Sequence, residues 1–344
     1  MCVTICNYLI NSDPSLTVTI ACLKAKGELT KELHPAIKLI DLDHPSVYLS
    51  IRKIISVTKK EKPDTVISWM GFLNAYVIFF KFLFPKNIKW LCRESSLPSR
   101  RNKYFKASLL FNFMYRFYNK YDAIICQSEA MANDLIKNFG VKAKNISIIN
   151  NPLQLNSSEK NTGMPSPFLN TKYKLLYAGR LHSVKRIEIL IDVIALLDEQ
   201  YSLTIAGEGP EQNHLEGLVA QKQLTGKIKF TGLVNDLAYY YKNASCLLIA
   251  SLYEGFPNVA IEAMSVGCPV IGYQMAGGAD EILRNYGGIH LQQDSSISTF
   301  AEQIKIVCET NPFIKQKIIE ECLSKYGLEK IGNKYYELIV NTTK

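Results

Sequence analysis

Four side chains in the carboxyl-terminal half have types and spacing suited to chemistry on an anion. They are Arg180 and Lys185, then Glu254 and Glu262 eight positions apart. A guanidinium and an ammonium stabilise a departing diphosphate through charge-assisted hydrogen bonds, and carboxylates accept hydrogen bonds from sugar hydroxyls. Glu254 lies in a turn, Tyr253 to Asn258, rich in Gly, Pro and Asn. Glu262 falls in the second turn of a helix that begins near Val259, with Asn258 expected as its cap. Free N–H groups and the dipole at that helix start attract negative charge. Spacing alone favours a plainer reading, in which Glu254 is a solvated loop residue and Glu262 a carboxylate favoured by the dipole. Arg180 and Lys185 equally fit two solvated cations flanking a loop.

The elements that must position these groups are legible around them. Cys246 to Ser251 is a short apolar run bounded by turn residues, which predicts a buried strand. The helix after it is expected to end at Gly267, and Cys268 to Gly272 to form the next strand. Strand, loop, helix and strand make the right-handed crossover of a parallel sheet, and both carboxylates fall at the carboxyl end of its first strand. Upstream, a strand at Tyr173 to Tyr177 runs into Ala178-Gly179-Arg180-Leu181, and Lys185 opens the helix Ile187 to Leu197. A strand at Ser202 to Ala206 leads to Gly207-Glu208-Gly209-Pro210, with Pro210 expected to open a helix over Glu211 to Leu224. That G-x-G lacks the third glycine of a dinucleotide fingerprint, so its glycines are expected to let the loop approach a nucleotide closely.

The run Glu254-Gly255-Phe256-Pro257-Asn258 through Glu262 resembles the donor-site signature of the retaining GT-B glycosyltransferases, in particular glycosyltransferase family 4. Arg180 and Lys185 match the family's G-R-x4-K pattern, which begins at Gly179. Specific motifs cover about residues 173 to 283, and the remainder matches in outline. The resemblance implies a nucleotide diphosphate sugar as donor, with uridine the expected base and no cofactor. It implies that Glu254 orients the hexose, Glu262 holds the ribose, and Arg180 and Lys185 neutralise the diphosphate. Gly207, Gly209, Leu233 and Val234 would border the nucleotide, and Gly277-Gly278 would turn close to the sugar.

The amino-terminal half shows the same alternation of strand and helix, so the expected fold is α/β, with two Rossmann-like doubly wound domains facing a cleft. The expected division is 1–155 for the acceptor side, 156–172 for a linker and 173–325 for the nucleotide-sugar domain. A final helix, 326–344, would return to the first domain. Val3 to Ile10 reads as a helix followed directly by a strand from Leu16, so the family's opening strand and glycine loop are expected to be missing. Asp41-Leu42-Asp43 spells a metal-binding D-x-D but lies in the half that would not hold the donor, and no metal is assigned. Arg93 and Glu94 are the nearest polar candidates on the acceptor side, with a salt-bridged strand end the expected role.

Charge is unevenly placed. Residues 1–170 carry 23 Lys/Arg against 12 Asp/Glu, and residues 171–344 carry 17 against 19. A basic half beside a neutral one points to an anionic partner. Ten cations between Lys81 and Lys120 are interleaved with aromatic residues, which suits an anionic membrane surface. A buried aromatic face with a solvated basic rim is the plainer alternative, and no nucleic-acid-binding motif is present. Nine scattered Cys without a C-x-x-C imply reduced thiols in the cytoplasm. No apolar run is long enough to span a bilayer, and the amino terminus lacks the basic flank of a signal peptide.

The expected activity is transfer of a hexose or N-acetylhexosamine to a glycan or lipid-linked acceptor in surface polysaccharide synthesis, at the inner face of the cell membrane. Two alternatives stand beside it: a catalytically impaired nucleotide-sugar-binding protein and a nucleotide-sugar epimerase.

Overall fold

A computed structural model describes residues 1–47, 49–102, 108–153, 168–234 and 236–340. The chain opens with helix α1 (Cys2–Ser12), strands β1 (Thr19–Cys22) and β2 (Lys38–Asp41), α2 (Ile51–Glu61), β3 (Thr65–Ser68) and α3 (Gly71–Phe79). Next come β4 (Lys89–Arg93), α4 (Pro98–Asn102), α5 (Ser108–Tyr115), β5 (Ala123–Cys126), α6 (Glu129–Phe139) and β6 (Ile146–Ile148). Alternation resumes with β7 (Tyr173–Ala178), α7 (Ile187–Ala195), β8 (Tyr201–Ala206), α8 (Gln212–Gln221), β9 (Ile228–Gly232) and α9 (Leu237–Asn243). The segment carrying the two glutamates forms β10 (Cys246–Ile249), β11 (Tyr253–Glu254), α10 (Asn258–Ser265), β12 (Val270–Tyr273) and β13 (Ala276–Gly277). It is followed by α11 (Ala279–Leu283), β14 (Gly288–Leu291), α12 (Ile297–Thr310), α13 (Lys315–Tyr326) and α14 (Leu328–Val340). Two compact units result, Met1–Pro152 together with α14, and Leu153–Gly327.

In the first unit the described strands form two parallel sheets, β1-β2 and β3-β4-β5-β6. β5 is apolar and buried along its whole length, as expected of a strand covered on both faces. Its loop ends at Ser128, whose hydroxyl accepts the Met131 N–H at 3.2 Å and so starts α6. Gly140, left-handed at φ +66°, stops the helix. Helix α1 packs against both sheets: Ile5 and Leu9 join Ile125 and Ile149, while Cys6 and Ile10 join Ile37. Helix α14 completes the first of these clusters with Ile331 and Tyr335, and Tyr8 donates to Asn333 at 2.7 Å.

The second unit holds one six-stranded parallel sheet, ordered β14-β12-β10-β7-β8-β9. From β7 the chain builds outward through β8 and β9, then returns to place β10 on the other side of β7. The strand order therefore reverses between β7 and β10, and a crevice opens there at the carboxyl ends of the strands. Tyr201 through Ala206 is buried at every residue, as are Cys246 through Ile249. Ser296 accepts the Thr299 N–H at 3.1 Å to start α12, which closes one face with Phe300 and Ile304.

Some boundaries differ from the sequence expectation. The apolar run from Asn74 to Phe84 is not one helix: α3 ends at Phe79 and a 3-10 turn, Lys81–Leu83, follows. Pro85 stops any helix after Leu83, because it forces the residue before it, Phe84, into extended geometry. The periodic apolar pattern from Tyr104 to Tyr118 predicts one helix, but α5 ends at Tyr115 and gives way to a 3-10 turn, Arg116–Lys120. The first turn of that pattern and residues 156–167 of the expected linker lie outside the described residues. Pro210 does not open a helix, since α8 starts at Gln212. Among the described residues no helix is long and apolar enough to cross a membrane.

Candidate functional site

Three loops meet at the reversal point of the second sheet. The loop after β7 carries Gly179, Arg180 and Lys185, the loop after β8 carries Gly207, Glu208 and Gly209, and the loop after β10 carries Ser251 and Glu254. Backbone hydrogen bonds tie them together. Gly179 donates to Ala206 and Leu181 to Glu208, both at 2.9 Å, and Leu252 donates to Val184 at 2.8 Å. The Arg186 guanidinium reinforces the last junction by donating to the Ala250 carbonyl at 2.7 Å.

Lys185 and Glu254 come together. The ammonium donates to Glu254 Oε1, and the same oxygen accepts the Ser251 hydroxyl at 2.8 Å. Both charged side chains are largely shielded from water, so removing one leaves the other desolvated without its counter-charge. Tyr177 lies in the field of Glu254: burial first, and then that carboxylate, push its phenol well above the ordinary range. Its hydroxyl stays protonated and donates to the Arg180 carbonyl at 3.1 Å.

Glu254 is also fixed through its backbone. β11 pairs with β13 in parallel, and Gly278 donates to the Glu254 and Gly255 carbonyls at 3.2 and 3.1 Å. The Glu254 loop and the Gly277-Gly278 turn thus form one wall. Glu262 projects from α10 toward α9, where Tyr241 donates to its Oε2 at 3.1 Å. Burial raises the Glu262 carboxyl above the usual carboxylate range, and the Tyr241 hydrogen bond pulls it partly back.

A hollow of about 360 Å³ opens beside these groups. Gly179, Arg180, Gly207 and Glu208 form one side, and Leu233, Val234 and Leu237 give it an apolar floor. The Arg180 side chain is exposed at its edge. Lys185, Glu254 and Glu262 are not among the lining residues; Leu237 opens the same helix that carries Tyr241.

Several sequence-selected residues have a different local part. Asn258 does not cap α10; it is the first helical residue, and Pro257 precedes it in extended geometry. The Phe256 ring turns into the core against Tyr326, with centroids 5.7 Å apart, so it is not free to touch a ligand. A Cβ on Gly207 would lie 1.9 Å from the Gly179 carbonyl oxygen, and one on Gly209 would lie 2.1 Å from that of Leu181. Loop-on-loop packing therefore demands these glycines directly. Glu208, Ser251 and Tyr241 are the groups that sequence reasoning passed over. Glu208 accepts the Leu233 N–H at 3.3 Å and joins two walls of the hollow.

In the first unit, Arg93 ends β4 and Glu94 follows it, and the two side chains turn to different neighbours, as pleating of an extended chain requires. Arg93 donates to Tyr335 at 3.1 Å and to Asn151 at 2.6 Å and lies over the Trp69 ring. Glu94 is fully buried and accepts the Tyr118 hydroxyl. Asp41 is the last residue of β2 and Asp43 lies two residues beyond it, with the Asp43 N–H donating to Asp41 at 2.7 Å.

Cations and carboxylates at the reversal point of a parallel sheet stand where doubly wound proteins as a class bind phosphorylated ligands. The family models narrow this. Residues 2–157 match "Glycosyltransferase Family 4" and residues 161–321 match "Glycosyl transferases group 1". The chain belongs to glycosyltransferase family 4, with the GT-B fold of two Rossmann-like domains. One relative is the Campylobacter jejuni N-acetylgalactosamine-N,N'-diacetylbacillosaminyl-diphospho-undecaprenol 4-alpha-N-acetylgalactosaminyltransferase, 29% identical over 237 residues. The match takes in 67% of this chain and spans 64% of that relative's own length. The Salmonella typhimurium lipopolysaccharide 1,6-galactosyltransferase is 24% identical over 193 residues, 54% of this chain and 53% of the relative. Among solved structures, Anabaena Alr3699/HepE in complex with UDP superposes with a TM-score of 0.79 at 18% identity, covering 98% of this chain and 96% of that one.

Proposed function

We propose that the protein is a retaining glycosyltransferase, moving a hexose or N-acetylhexosamine from a uridine diphosphate sugar to a lipid-linked or growing surface glycan. The carrying observation is the Lys185–Glu254 contact at the reversal point, with Arg180 at the edge of the adjoining hollow. The apolar floor of Leu233, Val234 and Leu237 suits a flat base, and the glycine-lined side suits the diphosphate. Glu262, steadied by Tyr241, is the acceptor for ribose hydroxyls, and Glu254, steadied by Lys185 and Ser251, reads the hexose. As the bond from the sugar's anomeric carbon to the phosphate oxygen breaks, its electron pair passes to the diphosphate. Arg180 and Lys185 offset that charge. The acceptor oxygen bonds to the same face of an oxocarbenium-like centre, and its proton leaves on the departing phosphate. Since these two cations take the charge-neutralising part, we propose no resident metal or cofactor.

The relatives support the acceptor class. The name of one specifies an undecaprenol-linked acceptor and an alpha linkage, and another's specifies lipopolysaccharide. A lipid-linked acceptor would hold the protein at the cytoplasmic face of a membrane. One observation favours a second reading, nucleotide-sugar binding without transfer: the described strands of the first unit form two separate sheets. A panel of UDP- and GDP-sugars, assayed by calorimetry and for sugar release, separates the two. Binding with turnover supports the transferase; binding alone supports the second reading.

A further inference from the structure

Two hydrogen bonds between loops frame the Lys185–Glu254 contact, and a side chain makes one of them. Leu252 donates to the Val184 carbonyl at 2.8 Å, and the Arg186 guanidinium donates through Nε to the Ala250 carbonyl at 2.7 Å. Lys185 thus lies between Val184 and Arg186, and Ser251 between Ala250 and Leu252. Each of these framed residues gives one hydrogen bond to the same oxygen, Glu254 Oε1. The Val184 bond alone would leave the loop after β10 free to pivot; the Arg186 bond removes that freedom.

Arg186 holds its place at a conformational cost. It is left-handed, at φ +49° and ψ +47°, and stands at the start of α7. Residues with a Cβ rarely adopt that backbone. Lys62, Gln223 and Asn311 also have positive φ, but they stand at or just past the ends of helices, where a left-handed residue is the ordinary stop. Asp43 follows a strand. Arg186 begins a helix and stops nothing. Glycine would take the same backbone freely, so what the arginine adds is its side chain. That side chain is half-buried and lies over the Tyr273 ring of β12, 5.7 Å from the centroid, while Tyr273 itself packs on Phe300 at 5.0 Å. A guanidinium stacked on a core ring and bonded to a buried strand end has little room to move. Backbone strain that the surrounding packing sustains marks a place where a fixed geometry has a use.

We infer that Arg186 is a positioning residue for sugar transfer: it clamps the loop after β10 so that Lys185 and Glu254 meet the donor at one fixed spacing. Its consequence for turnover rests on the reading of Lys185 as the group on the diphosphate and Glu254 as the group on the hexose. In that reading the spacing of the two sets the alignment of the bond that breaks, and a misplacement of about 1 Å costs about a hundredfold in rate. Arg186 does not line the hollow. Its loss is therefore felt in the transition state more than in donor binding, which Arg180 and the hollow continue to supply.

Arg186→Gly tests this, because glycine keeps the backbone and removes the clamp. The first readout uses no sugar. Chemical denaturation of Lys185→Ala, Glu254→Gln and the double variant gives the coupling between the pair. We expect that coupling to fall to about half or less when the cycle is repeated in Arg186→Gly. The second readout is steady-state kinetics with a UDP-sugar varied, at a temperature where every variant is folded. Arg186→Gly should lose about tenfold or more in kcat with KM within about twofold, and Arg186→Lys, which keeps a donor of similar reach, should recover part of the loss. Added to Lys185→Ala, Arg186→Gly should lower kcat by less than about twofold further, since the residue it positions is gone. An undiminished coupling, or a wild-type kcat in Arg186→Gly, would overturn the inference. So would equal losses from Arg186→Gly with and without Lys185. A residue that only stabilised the fold would lower the denaturation midpoint and leave kcat of the folded protein as it was. If the wild type transfers no sugar, or Lys185→Ala transfers as well as the wild type, the transferase reading fails, while the coupling measurement still decides the clamp.

Discussion

Tyr241 donates its phenolic hydrogen to Glu262 Oε2 at 3.1 Å, across the gap between α9 and α10. The carboxylate is thereby held in one orientation while burial raises the cost of its charge. Tyr241→Phe removes that hydrogen bond and keeps the ring. A hydrogen bond to a charged group contributes about 1.5–3 kcal/mol, so the donor KM should rise by about tenfold or more while kcat changes little. Steady-state kinetics with the donor varied reads this split. An unchanged KM would mean that Glu262 keeps its orientation without the tyrosine.

The same carboxyl gives a pH prediction. Its folded-state pKa is raised, first by burial, so the native state holds the proton more tightly than the unfolded chain does. That contribution to stability is fully present below the unfolded value and is lost as pH rises through the raised one. Glu262→Gln, which is neutral at every pH, should therefore melt above the wild type at pH 7 and at about the same temperature at pH 4. Thermal scans at the two pH values check the sign.

Lys185 and Glu254 should behave as one unit. Lys185→Ala and Glu254→Gln are each expected to lower kcat/KM by about a hundredfold. The double variant should fall well short of the product of the two, because the partners shield one another from the cost of burial. A double-mutant cycle measures the coupling, and strictly multiplicative losses would show that the two side chains act on separate parts of the substrate.

The second unit was readable because its strands are short unbroken apolar runs with turn residues between them, as in Cys246 to Ile249 and Val270 to Tyr273. The Gly, Pro and Asn between Tyr253 and Asn258 marked the loop and the helix start, while the resemblance to the family signature, not spacing alone, singled out Glu254 and Glu262. What sequence could not supply was partnership over distance. Tyr241 stands in a run of three tyrosines, and nothing in that run tells which ring faces a carboxylate 21 positions away. Arg93 and Glu94 suggested a salt-bridged strand end, but sequence could not name their neighbours, Tyr335 for one and Tyr118 for the other. The glycines of the loop after β8 were visible, but the loop they clear was not. Their close neighbours are the Gly179 and Leu181 carbonyls, contributed by the loop after β7.

That close approach is itself testable. Gly207 sits at φ +142°, and a methyl group there would collide with backbone that has no slack. Gly207→Ala should cost more than about 2 kcal/mol of stability, seen as a lower denaturation midpoint. Gly217→Ala, at an open position within α8, should instead be neutral or mildly stabilising.

The central claim is that the second unit grips a nucleotide diphosphate sugar with Lys185 on the diphosphate and Glu262 on the ribose. The most direct measurement is sugar transfer from UDP-linked donors by the wild type, Lys185→Ala and Glu262→Ala, each first shown by its melting midpoint to be folded. Turnover by the wild type with losses of about a hundredfold or more in both variants is the predicted result. Near-wild-type turnover in both variants would contradict it.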